Sequence, residues 1–255
     1  MMKVLIVNTS ERTGGAAVAA NRLKDALNNN GVEANMLVRD KLSDDTTVFT
    51  IKNGWRTQWN KLWERWCIFW HLRFSKHNLF AIDIANAGTD ITQLQAFKDA
   101  DVVHLAWINQ GMLSLKGIEK ILKTGKPLVW TMHDIWPATA VCHITLDCRQ
   151  FETQCKDCRL LPSGIGRNLV RRTWKRKEAI EGRSHIIYIT CSKWLQGEAK
   201  RSALIGQNPI ECIPNPIDTN IFCRADKAEA RRKLGLPTDK RLILFASQRV
   251  TNQNK

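Results

Sequence analysis

The feature that most constrains this chain is its first strand. Residues 3–8 carry ValLeuIleVal in unbroken succession, with no polar alternation. Such a run suits a strand buried on both faces rather than one with a wet side. A polar turn, ThrSerGluArgThrGlyGly at 9–15, follows it. The next stretch, Ala16 to Asn28, repeats apolar residues at three- and four-residue spacing (Ala16, Ala19, Ala20, Leu23, Leu27), which predicts a helix. Gly31 supplies a left-handed stop, and a second strand is expected over 32–38. Strand, helix and strand in this order, with the strands doubly buried, call for a parallel sheet whose faces are covered by crossover helices.

The alternation continues. Strands are expected at 101–108 and 127–132, with a helix between them that Ser114 caps and Gly125 ends. Another strand is expected at 185–191, then a helix capped by Ser192 and running to about Leu204. The fold class expected is α/β, a Rossmann-like doubly wound parallel sheet, with ligands at the carboxyl ends of its strands. From 209 the character changes: Pro209, Pro214 and Pro216 mark a linker. A helix (226–234), a stop at Gly235 and a strand (241–247) follow. One buried-type strand has no partners for its backbone, so the chain reads as cut off where a second domain begins. The expected organisation is a Rossmann-like domain over 1–208, a linker over 209–225, and the opening of an incomplete domain over 226–255.

Composition narrows the setting. No run of eighteen apolar residues occurs, and the opening MetMetLysValLeuIleValAsn is too short for a secretory signal. The 39 Lys+Arg against 24 Asp+Glu leave a net charge of +15, which favours an anionic partner. Eight cysteines without a signal point to the cytosol and reduced thiols. Cys67, Cys191, Cys212 and Cys223 sit among apolar neighbours and read as buried thiols.

Five motifs carry chemistry. The Gly14–Gly15 turn opens the first helix, where backbone amides can meet an anion; a plain tight turn is the alternative. His104 and the pair His133–Asp134 fall near the ends of adjacent strands, where parallel sheets keep their sites; core histidines are the alternative. Cys142, Cys148, Cys155 and Cys158, spaced C-x5-C-x6-C-x2-C, have the donor set of a structural zinc site, against a reading as reduced thiols. They leave no open position for a catalytic metal. Trp55, Trp59, Trp63, Trp66 and Trp70, spaced 4, 4, 3 and 4, share one helix face, which faces either the core or the plane of a membrane. Arg167, Arg171, Arg172, Lys175, Arg176 and Lys177 form a basic helix that is either a solvated face or a phosphate or headgroup contact.

Together these segments resemble the amino-terminal half of a family 4 glycosyltransferase, a retaining enzyme of the two-Rossmann-domain (GT-B) architecture. LysValLeuIleValAsn with Gly14–Gly15 looks like the family's opening strand and glycine loop. AspValValHisLeuAlaTrpIleAsn and ValTrpThrMetHisAspIleTrpPro resemble its central strands, and IleProAsnProIleAsp at 213–218 the approach to its hinge. The cysteine segment is similar to an insert of a bacterial subgroup that builds surface polysaccharides.

The resemblance implies an acceptor-side half that moves a sugar from a nucleotide-sugar to a hydroxyl on a glycan or lipid-linked acceptor. It implies His133 and Asp134 as catalytic, with His133 on the donor sugar and Asp134 orienting His133 or the acceptor hydroxyl. Gly14, Gly15 and His104 would bind substrate, and Arg249 and Lys255 the donor diphosphate, so that no catalytic metal is needed. A fragment lacking most of the donor half is expected to be inactive alone. The setting implied is cytoplasmic and peripheral at the inner face of an anionic membrane. A basic nucleic-acid-binding protein and a non-catalytic remnant are the competing readings, though no groove-reading or single-strand motif supports a nucleic-acid partner.

Overall fold

A computed structural model of the chain describes residues 1–51, 54–182 and 185–245. Contacts divide it into two units, Met1–Pro216 and Ile217–Lys255.

The first unit is built on one sheet of seven parallel strands in the order β3-β2-β1-β4-β5-β6-β7. In chain order these are β1 (Lys3–Ser10), β2 (Glu33–Asp40), β3 (Val48–Thr50), β4 (Val102–Leu105), β5 (Leu128–Met132), β6 (Ile187–Thr190) and β7 (Ile210–Cys212). The helices are α1 (Gly15–Asn29), α2 (Gly54–His71), α3 (Gln95–Asp99), α4 (Leu115–Lys123), α5 (Ile165–Glu181) and α6 (Lys193–Lys200). The Rossmann-like α/β sheet expected from the sequence is therefore present. Ser114 and Ser192 cap α4 and α6 as expected, accepting from the amides of Gly117 and Leu195.

The direction in which successive strands are added reverses at β1. The β1–β2 crossover steps one way and the β4–β5, β5–β6 and β6–β7 crossovers step the other. Right-handed connections thus put α1 on one face and α4, α5 and α6 on the opposite one. The core follows that division. Val4, Ile6, Met36 and Val38 pack with Ala20 of α1, whereas Leu5, Val7, Val103, Leu105, Trp130 and Tyr188 join the larger cluster with α4, α5 and α6.

Helix α2 is turned the other way round from an ordinary surface helix. Its buried positions are Thr57, Glu64, Arg65 and Ile68. Trp55, Trp59, Trp63, Trp66 and Trp70 are all more than half exposed, at 51–68%. The core-facing reading of the stripe is therefore incorrect: the indoles face solvent, and charged groups hold the inner side. No helix among the described residues is long and apolar enough to cross a membrane. Helix α5 corrects the sequence reading in a smaller way. Arg171, Arg172, Lys175 and Arg176 are exposed, but Lys177 is buried.

The second unit contains α7 (Lys227–Lys233), capped by Asp226, whose carboxylate accepts from Glu229 N at 2.7 Å. The strand expected at 241–247 is not formed at 241–245, where Ile243 and Leu244 are almost fully exposed. An apolar run with no strand beside it leaves its backbone to water. Its last two residues lie outside the described residues.

One close approach fixes α2 against the segment between β4 and α4. Gly111, at φ +79°, lies so near α2 that a β-carbon there would stand 2.5 Å from the amide nitrogen of Lys61. Gly111→Ala is expected to cost roughly 2–4 kcal/mol, combining a left-handed non-glycine residue with an overpacked contact. Denaturant unfolding of the variant measures it; a loss under half that range shows the contact to be soft.

Candidate functional site

The reversal point between β1 and β4 creates a crevice at the carboxyl ends of those strands, the usual ligand position in such sheets. Side chains at the end of β1 hold its walls together. Asn8 accepts from the amide of Trp107 at 2.7 Å, and the Thr9 hydroxyl donates to the carbonyls of Trp107 and Asn109 at 3.0 and 2.9 Å. The Gly14–Gly15 turn leads from β1 into α1 here. Gly14 has φ +93° and supplies no side-chain cap, and a β-carbon at either glycine would meet nothing within 4 Å. The first amides of α1 are thus open to an anion.

Farther along α1, a mostly apolar groove of about 220 Å³ runs between that helix and the sheet. Ala19 and Leu23 of α1 form one side, and Ile213, Pro214 and Asn215 another. His104, Thr131 and His133 supply polar groups to it. The structure therefore brings His104 and His133 together, as their strand positions suggested. His104 Nε2 lies 2.7 Å from the Thr131 hydroxyl. Burial, then the neighbouring His133, depress its pKa to about 4. Burial likewise lowers His133, against the pull of Asp134. Both imidazoles are neutral at pH 7 and can donate or accept a hydrogen bond.

Asp134 has a different set of partners from those expected. Its carboxylate accepts from the Trp107 indole at 2.9 Å, from the Trp136 amide at 2.9 Å and from His143 Nδ1 at 2.7 Å. The other nitrogen of His143 lies 2.6 Å from Asp83. Arg65 of α2 pairs with the second oxygen of Asp83, and Glu64 accepts from the amides of Ile84 and Ala85. Burial disfavours the charged His143 ring, but Asp134 and Asp83 outweigh it and raise the pKa to about 10. Asp134 is pushed up by burial and pulled further down by His143. Burial and the charge of Asp83 raise Glu64 to about 7. The result is an imidazolium clamped between two carboxylates, tying α2, the end of β5 and the segment after it into one unit.

Residues 13–221 match the model for Glycosyltransferase Family 4. The chain belongs to that family. No curated protein sequence matches it significantly. Solved structures with a similar chain trace include an alpha-glucosyltransferase in complex with UDP and a 13-mer DNA containing a HMU base. It is 11% identical, with a TM-score of 0.40, and the match covers 91% of this chain and 45% of that one. A second alpha-glucosyltransferase complex, with UDP and a 13-mer DNA containing a central A:G mismatch, gives 10% identity and a TM-score of 0.39 over 87% and 43%. This family 4 chain spans less than half the length of those structures.

The zinc expectation is not supported. Among the described residues no three His, Cys, Asp or Glu side chains are arranged to hold a metal ion. Cys142, Cys148, Cys155 and Cys158 are free thiols. Burial raises Cys142 to about 12 and Cys155 to about 11, which keeps them protonated. The segment is fastened by other means. Lys177 donates to the carbonyls of Trp136 and Thr139 at 2.6 and 2.9 Å, the Ser202 hydroxyl to that of Ala138 at 2.7 Å, and the Ala203 amide to that of Phe151 at 3.0 Å. Arg249 and Lys255 lie outside the described residues.

The sequence reading missed Asp83, His143 and the inner face of α2. The available signal was Asp83 itself, a lone acid between Ile82 and Ile84. In this family 4 chain, His143 is expected to stay doubly protonated at a pH midway between 6.5 and 10. Its folded pKa is raised, so its contribution to stability is complete below about 6.5 and fades as pH passes 10. Lys177, lowered by burial to about 7, is relieved over the same window and opposes that trend in any global melt. Residue-resolved ¹⁵N NMR of the imidazole separates the two; a neutral ring midway in the window contradicts the clamp. His143→Leu should cost about 3–5 kcal/mol, because two carboxylates lose their shared partner.

Proposed function

We propose that this family 4 chain is the acceptor-side part of a retaining glycosyltransferase that moves a sugar from a nucleotide-sugar to a hydroxyl on a growing surface glycan or its lipid-linked form. The supporting observation is the pair of neutral histidines that line one groove at the ends of β4 and β5, in a sheet whose β1 leads into an open glycine turn. The amides after Gly14–Gly15 suit the donor diphosphate or an acceptor anion. A neutral His133 suits a sugar hydroxyl, which needs a partner able to donate as well as accept. His104, held by Thr131, backs it from the groove.

Asp134 acts on this reading by position. Its oxygens are engaged by Trp107, Trp136 and His143, so it fixes the backbone that carries His133. In the reaction, the bond from the anomeric carbon to the nucleoside diphosphate oxygen breaks, the bond to the acceptor oxygen forms on the same face, and the acceptor hydroxyl's proton passes to the departing diphosphate. Arg249 and Lys255 are proposed to balance the charge on the departing diphosphate. The division into an acceptor domain, a linker and the start of a donor domain (226–255) is part of the same proposal, with the end of the acceptor domain moved from 208 to Pro216 because β7 (Ile210–Cys212) completes its sheet.

The test is sugar transfer from labelled nucleotide-sugars by the protein with its proposed donor domain. His133→Ala should lower kcat about tenfold or more, the scale of one lost hydrogen bond that strengthens in the transition state. Unchanged kinetics would remove His133 from the site. Absence of transfer with every common nucleotide-sugar would remove the proposed activity.

A further inference from the structure

Half of the ten tryptophans lie on the outer face of α2, and nothing in the fold explains them. Trp130, Trp136 and Trp174 are where tryptophans usually are, at 4% exposure or less. The α2 indoles instead stand in a line along 18 helical residues, a length of about 27 Å. The line continues past the helix. Phe74 packs edge-on to Trp70 at 5.1 Å and to Phe69 at 5.5 Å.

Within the segment that forms this face the exposed charges have one sign. Between Gly54 and Phe80 the only carboxylate is Glu64, and it is buried on the inner side. Arg56, Arg73 and Lys76 are exposed around the indoles. An aromatic strip edged by cations and cleared of carboxylates complements an anionic bilayer surface. Indole seats at the boundary between headgroups and acyl chains, and basic side chains reach the headgroups from the same depth. A second copy of the chain fits less well, since face-to-face packing of two strips would bring their cations together.

We infer that α2 is an in-plane membrane contact, with the Trp55–Trp70 strip seated in the interface of an anionic bilayer and Arg56, Arg73 and Lys76 on its headgroups. The helix is already folded and its indoles already face outward, so docking requires no rearrangement of the core. The inference concerns binding alone and does not depend on the proposed sugar transfer.

The experiment is co-flotation of the intact protein with vesicles of phosphatidylcholine alone and with vesicles that include phosphatidylglycerol. The wild type should float with the anionic vesicles and not with the neutral ones, and the bound fraction should fall as salt is added. A combined Trp59→Ser, Trp63→Ser and Trp66→Ser variant should lose binding by about tenfold or more while its far-UV circular dichroism and melting are retained, because these indoles are exposed. Arg171→Glu with Arg172→Glu on α5 is the control for attraction to the basic surface at large, and should weaken binding far less. Equal flotation of wild type and triple-tryptophan variant would overturn the inference, as would failure of the wild type to bind anionic vesicles. Should the strip be a protein contact instead, light scattering would show a dimer that the triple variant abolishes, with no flotation in either case.

Discussion

The imidazolium of His143 between Asp83 and Asp134 is the interaction on which this architecture turns. Two buried carboxylates near each other would repel, and each would be costly to desolvate. One doubly protonated ring satisfies both. Through it the segment after α2, the carboxyl end of β5 and the loop beyond β5 share a single electrostatic minimum. Arg65 extends the chain of contacts back to α2, and Trp107 extends it to the end of β4. His133 takes its position from this assembly, since Asp134 is its immediate neighbour in sequence.

The framework was legible in the sequence wherever burial imposes a period. The runs at 3–8 and 127–132 are apolar because both faces of the sheet are covered, and they occur as β1 and β5. The helices after Gly15 and Ser114 carry both the stripe and the stop signals. The short edge strands β3 and β7 left no such trace. Three residues cannot establish a period, and Ile210–Cys212 is flanked by prolines that mimic a linker. The run at 241–245 shows the converse: a pattern suited to a buried strand forms none without neighbours to bond.

The candidate site was legible only in part. His133 and His104 were visible because strand ends on adjacent strands can be inferred from order alone. The partnership of Asp134 with His143 and Asp83 was not, since it joins residues up to sixty positions apart through a fold that must first be known. At the cysteines the spacing finds no matching metal site among the described residues. Four thiols in seventeen residues suggest a metal shell, yet the loop around them is fastened by Lys177, Ser202 and backbone bonds. The tryptophan stripe was ambiguous, because periodicity reports that one face differs from the other and not which of them is inside.

The reversed polarity of α2 also bears on how the molecule breathes. An ordinary surface helix is retained by a broad apolar stripe, and opening it exposes all of that surface at once. Here the apolar anchors on the inner side are few, Ile68, the adjoining Leu72 and the half-buried Cys67, and much of the remaining hold is supplied by Glu64, Arg65 and their partners. Such attachment is short-ranged and polar, and water can replace much of it. In amide-exchange terms α2 is expected to behave as a separate cooperative unit, opening at a lower free energy than the β1–β2–α1 core while the sheet beneath it stays closed.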